Sequence, residues 1–129
     1  MQTTSKILMV RPYRFTFNKE TAGNNFFQRD AGSDPDMQDA VAERALQEFD
    51  AIVALLQRND VDVTVVQDTP EPWTPDSLFP NNWFSSHTTG ELVLYPMFAE
   101  NRRKERKREV LDLLRRKMNH RKVVDLTHW

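Results

Sequence analysis

The chain contains no cysteine, which excludes disulfide bonds, thiolate metal sites and a cysteine nucleophile supplied by this chain itself. Glycine is scarce as well: Gly23, Gly32 and Gly90 are the only ones, too few and too scattered for a phosphate-cradling loop. Charge of one sign is not in excess either. The 18 basic and 19 acidic residues give a formal net charge of −1, so no overall field draws the chain to nucleic acid or to a membrane surface. No apolar run approaches the roughly 18 residues of a membrane span, and residues 1–10 lack the charged start and long apolar centre of a secretory signal. The cytoplasm is therefore the expected location. His87, His120 and His128 show no metal-ligand spacing, and neither a metal nor a cofactor is expected.

What is present suits one soluble domain: 129 residues, of which 39% are hydrophobic and 29% charged. Residues 6–11 (KILMVR) form a contiguous apolar run closed by Pro12, a buried strand. An aromatic loop follows over residues 13–28, with Phe15, Phe17, Phe26 and Phe27 expected to anchor it by packing. Asp34-Pro35-Asp36 starts a helix, with Asp34 as N-cap and Pro35 at the first helical position. Met37, Val41, Ala45, Phe49, Ile52, Val53 and Leu56 then predict an amphipathic helix to about Arg58 with one buried face. Residues 61–66 (VDVTVV) predict a β-branched strand, and three prolines in residues 68–75 predict a loop. Residues 78–86 and 92–97 read as a hairpin turning through Thr88-Thr89-Gly90, residues 101–117 as one helix, and residues 123–126 as a last strand. The class is α/β, in two halves, 1–68 and 69–129, that each pass from strand through helix to strand.

Residues 77–105 concentrate the polar chemistry. Asp76, Asn81 and Asn82 project from a loop and a strand start, and Arg102 or Arg103 from the first turn of the next helix. Carboxylate and carboxamide groups bind the N–H edge of a guanidino or ureido group, while an Arg fork grips a carboxylate bidentately. Together these ends describe an amino acid of the arginine or citrulline kind. The plainer alternative is that the Asn pair satisfies a turn and the arginines face solvent. Asn24 and Asn25, between aromatics, either line a pocket or form a plain turn. The basic run 102–108 (RRKERKR) is interrupted by Glu105 and followed by Asp112, within i,i+4 reach of Arg116; it reads as a solvated helix face rather than a nucleic-acid site.

MVRPYRF, TAGNNFFQ, DSLFPNNWFSSH and LVLYPMFAENRRKERK resemble the N-terminal part of the arginine deiminase and amidinotransferase superfamily, most closely its citrulline-utilisation hydrolase branch. The resemblance implies a pentein fold, a five-bladed α/β propeller, of which this chain would hold about two ββαβ-like modules. It places Asn82 where arginine deiminases bind the guanidinium with an Asp, Asp76 where they carry an Asn near the substrate, and Arg102 at their carboxylate-binding Arg. Asn81 and Asn25 complete the expected substrate-binding set. A neutral Asn82 is a donor as well as an acceptor and suits a ureido group, which favours a citrulline-like substrate.

The family mechanism is attack by a Cys thiolate on the guanidino or ureido carbon, with a His as general acid/base. Both lie further along in the superfamily, so no catalytic residue is assigned here and the chain is expected to be an N-terminal recognition fragment. Its exposed module edges are expected to self-associate. The rival reading is a short non-catalytic pentein-like protein that binds a small amino acid or a partner subunit.

Overall fold

The Ile-Leu-Met-Val run extends as β1 (Lys6–Arg11) and lies parallel to β2 (Asp62–Gln67), with Ile7 opposite Val63 and Val10 opposite Val66. Parallel neighbours need a long crossover, and α1 (Pro35–Arg58) supplies it. Asp34 caps α1 by accepting from the Asp36 backbone N–H at 3.0 Å; Asn59 ends it, and Asp60 turns the chain at φ 61°. The computed structural model describes residues 4–26, 29, 30, 32, 34–117 and 119–129.

The second sheet has the order β3-β4-β5. β3 (Phe84–Ser86) is antiparallel to β4 (Glu91–Leu94), and β4 is parallel to β5 (Lys122–Asp125). Gly90, at φ 98°, gives the connecting turn a backbone conformation that a side chain would strain. Two short helices, α2 (Glu100–Arg103) and α3 (Arg108–Lys117), bridge β4 to β5. Trp83, Leu92, Leu94, Met97, Val110 and Leu114 form the core, and Leu8 and Val66 of the first sheet pack against it. The result is a mixed α/β arrangement with two open sheets among the described residues.

Four expectations change. The strand expected over 78–86 begins only at Phe84, because Pro80 opens a single 3-10 turn (Pro80–Asn82) and Ser77 and Phe79 already donate backwards to the Thr74 and Asp76 carbonyls. The single helix expected over 101–117 breaks between Arg103 and Arg108, where Glu105 and Lys107 turn inward to ion pairs described below. The buried face of α1 shrinks to Ala42 and Phe49, while Met37 and Ile52 are about half exposed. A 24-residue helix is about 36 Å long, and a pair of six-residue strands about 20 Å. The sheet is too short to cover it. Of the aromatic anchors, Phe15 and Phe17 are half-buried but Phe26 is exposed; Phe27 lies outside the described residues, as does Met118, which the sequence pattern expects on the apolar face of the second helix.

Candidate functional site

The hairpin brings two rims together. The backbone N–H of Tyr95 donates to the Trp83 carbonyl at 2.9 Å, so Asn81 and Asn82, just before β3, stand beside Pro96 to Ala99, just after β4. The loop after β1 supplies a third wall, with Phe15 edge-on to Phe79 at 6.5 Å. Between them lies a hollow of about 690 Å3 lined by Asn25, Asp76, Asn81, Asn82 and Arg102, together with Thr21, Phe79 and Phe98. All five residues singled out from the sequence thus share one concavity.

Their environments differ. Asp76 is buried; its Oδ2 accepts from Asn18 Nδ2 at 2.8 Å and from Thr21 Oγ1 at 3.1 Å. Asn18 is the hub beneath the hollow, 1% exposed. Its Oδ1 accepts from Asn101 Nδ2 at 2.7 Å and from the Glu20 backbone N–H at 3.1 Å, which fixes both its amide orientation and that of Asn101. Glu20 in turn accepts from the Asn101 backbone N–H at 3.0 Å, ordering the first turn of α2 from a distant loop. Asn81 and Asn82 are exposed on the 3-10 turn, with Asn81 Nδ2 donating to Asn82 Oδ1 at 2.7 Å. That leaves the Asn82 amide facing outward chiefly as a donor.

Arg102 is buried and already held. Its Nε donates to Glu105 Oε1 at 2.9 Å, and its Nη2 to Glu105 Oε2 at 3.2 Å and to the Phe79 carbonyl at 2.8 Å. The fork expected to grip a carboxylate bidentately is therefore occupied by Glu105, and Nη1 is the nitrogen without a partner among the described residues. Burial pushes the Glu105 carboxyl above the usual carboxylate range, against the opposing pull of Arg102, and the nearby charges of Asp76 and Asp68 push the same way. A second buried ion pair lies close by: Lys107 Nζ donates to Asp68 Oδ1 at 2.5 Å, while Thr74 and Ser77 hydroxyls donate to Asp68 Oδ2 at 3.1 and 2.8 Å.

The basic run is thus not one solvated face, because Arg102, Glu105 and the Lys107 side chain are all withdrawn from water. Asp112 pairs with Arg108 at 3.9 Å rather than with Arg116, whose Nε donates to the Asp112 carbonyl. Sequence reading missed Asn18, Thr21 and Glu105. Glu105 carried a local signal, three residues beyond Arg102 on a helical turn; Asn18 carried only its place after Phe17.

A hollow of similar size, about 650 Å3, lies between Tyr13, Phe17, Val41 and Trp73. It includes none of the five residues and no buried charge, so its chemistry is less defined. No described helix is long and apolar enough to cross a membrane.

The comparison with curated proteins and that with solved structures return no match. The comparison with family models does: residues 11–129 match the family described as "N,N dimethylarginine dimethylhydrolase, eukaryotic", a guanidino-modifying family of the pentein superfamily. The match spans all five residues of the hollow and the loop that carries Asn18. The chain belongs to the N,N-dimethylarginine dimethylhydrolase family.

Proposed function

We propose that this chain forms the substrate-recognition part of a hydrolase that acts on the guanidino group of arginine or a methylated arginine. The observation that carries the reading is one hollow lined by both a buried carboxylate, Asp76, and a buried guanidinium, Arg102. An arginine-type amino acid offers a planar cation at one end and a carboxylate at the other, which is the complementary pair. Asp76, oriented by Asn18 and Thr21, receives the guanidinium; Arg102 Nη1 donates to the α-carboxylate; Asn25, Asn81 and Asn82 line the space between. With Glu105 ionised, Asp76, Arg102 and Glu105 sum to −1, opposite to the +1 of an arginine zwitterion with its charged side chain.

The C–N cleavage is assigned to a thiolate outside this chain, which has no cysteine. The partial propeller of about two ββαβ-like modules belongs to the same reading.

A second reading rests on Asn82. Its Oδ1 is taken by Asn81, so its amide N–H groups suit the carbonyl oxygen of a neutral ureido group, as in citrulline. Calorimetric titration with N,N-dimethylarginine, arginine and citrulline separates the two. The guanidino reading predicts that both cationic ligands bind more tightly than citrulline. Tighter binding of citrulline would replace it with the ureido reading, and no heat from any of the three at millimolar concentration would overturn both.

A further inference from the structure

The β3–β4 hairpin has two ends, and the second holds a different chemistry. Around the Thr88-Thr89-Gly90 turn, away from the Asp76 hollow, lies a concavity of about 630 Å3 lined by Lys6 from β1, Ser86 from β3, Thr88 and Thr89 from the turn, Lys117 from the end of α3, and Arg121. No acidic residue lines it. Arg11, Arg14, Arg44, Arg102, Lys107 and Arg108 all sit in ion pairs. Lys6, Lys117 and Arg121 are among the basic residues that do not, and their side chains make no hydrogen bond among the described residues. Three uncompensated cations from three separate segments therefore converge on one hollow in a chain of net charge −1.

The neutral groups there are donors too. The Thr88 and Thr89 backbone N–H groups and the Thr88 hydroxyl have no partner among the described residues. Ser86 Oγ lies 2.9 Å from His120 Nε2, and His120 is buried with its Nδ1 unpartnered. A proton on Nδ1 would leave a buried N–H unsatisfied, which is rarer and costlier than an unfilled acceptor. The proton therefore sits on Nε2 and is donated to Ser86 Oγ, which frees the Ser86 hydroxyl to donate into the hollow. Glu91 is the nearest acid along the turn, and its carboxylate is engaged by the Thr89 hydroxyl.

From this convergence of donors and cations we infer that the turn end of the hairpin is a binding site for a small, multiply charged oxyanion of the phosphate class. A phosphate or diphosphate group offers only acceptors and at least two negative charges, which three cations and four N–H or O–H donors match. The volume suits a small molecule rather than a polymer. The inference does not depend on the guanidino site, which uses none of these residues.

Heteronuclear NMR of the 129-residue chain tests it, titrating inorganic phosphate and then pyrophosphate with sodium chloride adjusted to hold ionic strength constant. Saturable shifts confined to the amides of Ser86, Thr88, Thr89, Gly90 and Arg121 are expected, with pyrophosphate the tighter ligand. Lys117→Gln and Arg121→Gln each weaken binding about tenfold, the loss of one charge-assisted contact, and Lys19→Gln leaves it unchanged. All three side chains are exposed, and the melting temperature of each variant verifies the fold. Linear shifts reproduced by chloride would overturn the inference, as would unchanged affinity in the Lys117→Gln/Arg121→Gln double variant. Saturable binding of a single-stranded oligonucleotide without response to pyrophosphate would also overturn it, in favour of a nucleic-acid surface.

Discussion

α1 runs for 24 residues and buries two of them; α3 runs for 10 and also buries two. The long helix is specified locally, by its Asp34 cap, its Pro35 start and its Asn59 stop, and then outruns the two strands beneath it. The short helix starts after Lys107, whose side chain has no acceptor with which to cap it. It is fixed from outside, by Val110 and Leu114 in the main core and by Lys107, one residue before it, anchored to Asp68. Local signals thus decide where a helix lies along the chain, while cover from other elements decides how firmly it is held.

The largest effect expected from breaking this contrast comes from Lys107→Met. It leaves the Asp68 carboxylate buried without its cation and should cost about 3 to 5 kcal/mol, measured by denaturant unfolding. Leu114→Ala, at a fully buried core position, should cost about 2 to 5 kcal/mol in the same assay. Ile52→Ala on the exposed face of α1 should lie within about 0.5 kcal/mol. Loss at Ile52 equal to that at Leu114 would mean that the α1 face is covered and that the contrast fails.

Glu105 adds a pH test of the polar anchor beside α2. Its folded carboxyl titrates above its unfolded value, chiefly through burial, so the protonated form is favoured by folding. Its contribution to stability is full at low pH and is lost as pH rises through the folded pKa. Native protein should therefore gain stability relative to Glu105→Gln as pH falls from neutral towards the ordinary carboxylate range. A difference independent of pH would show that Glu105 titrates normally.

Much of the fold was legible because it rests on local chemistry. The apolar run of β1, the capping residues of α1, the β-branched run of β2 and the Thr-Thr-Gly turn all carry their signals within a few residues. The expected bounds of β2, β4 and β5 move by one to three residues. What escaped depends on partners far apart in sequence. The break after α2 follows from Lys107 meeting Asp68 across 39 residues, and the orientation of Asp76 follows from Asn18 across 58. Neither contact leaves a mark in the local pattern, and a run such as RRKERKR looks solvated until its partners are in place. The five expected site residues were picked out by their chemistry, but the residues alone favoured a plain turn and a solvated face; the resemblance to a family gave Asp76, Asn82 and Arg102 their expected roles. Their convergence on one hollow is a property of the fold; their contact with a substrate is the proposal.

That proposal turns on Asp76. Isothermal titration of N,N-dimethylarginine into the native chain, into Asp76→Asn and into an Asp50→Asn control, whose carboxylate pairs with Arg11 and does not line the hollow, tests it most directly. Loss of one charge-assisted contact predicts binding at least about tenfold weaker in Asp76→Asn, with the control unchanged and all three proteins giving the same circular dichroism spectrum. Equal affinity in native and Asp76→Asn protein would contradict the account.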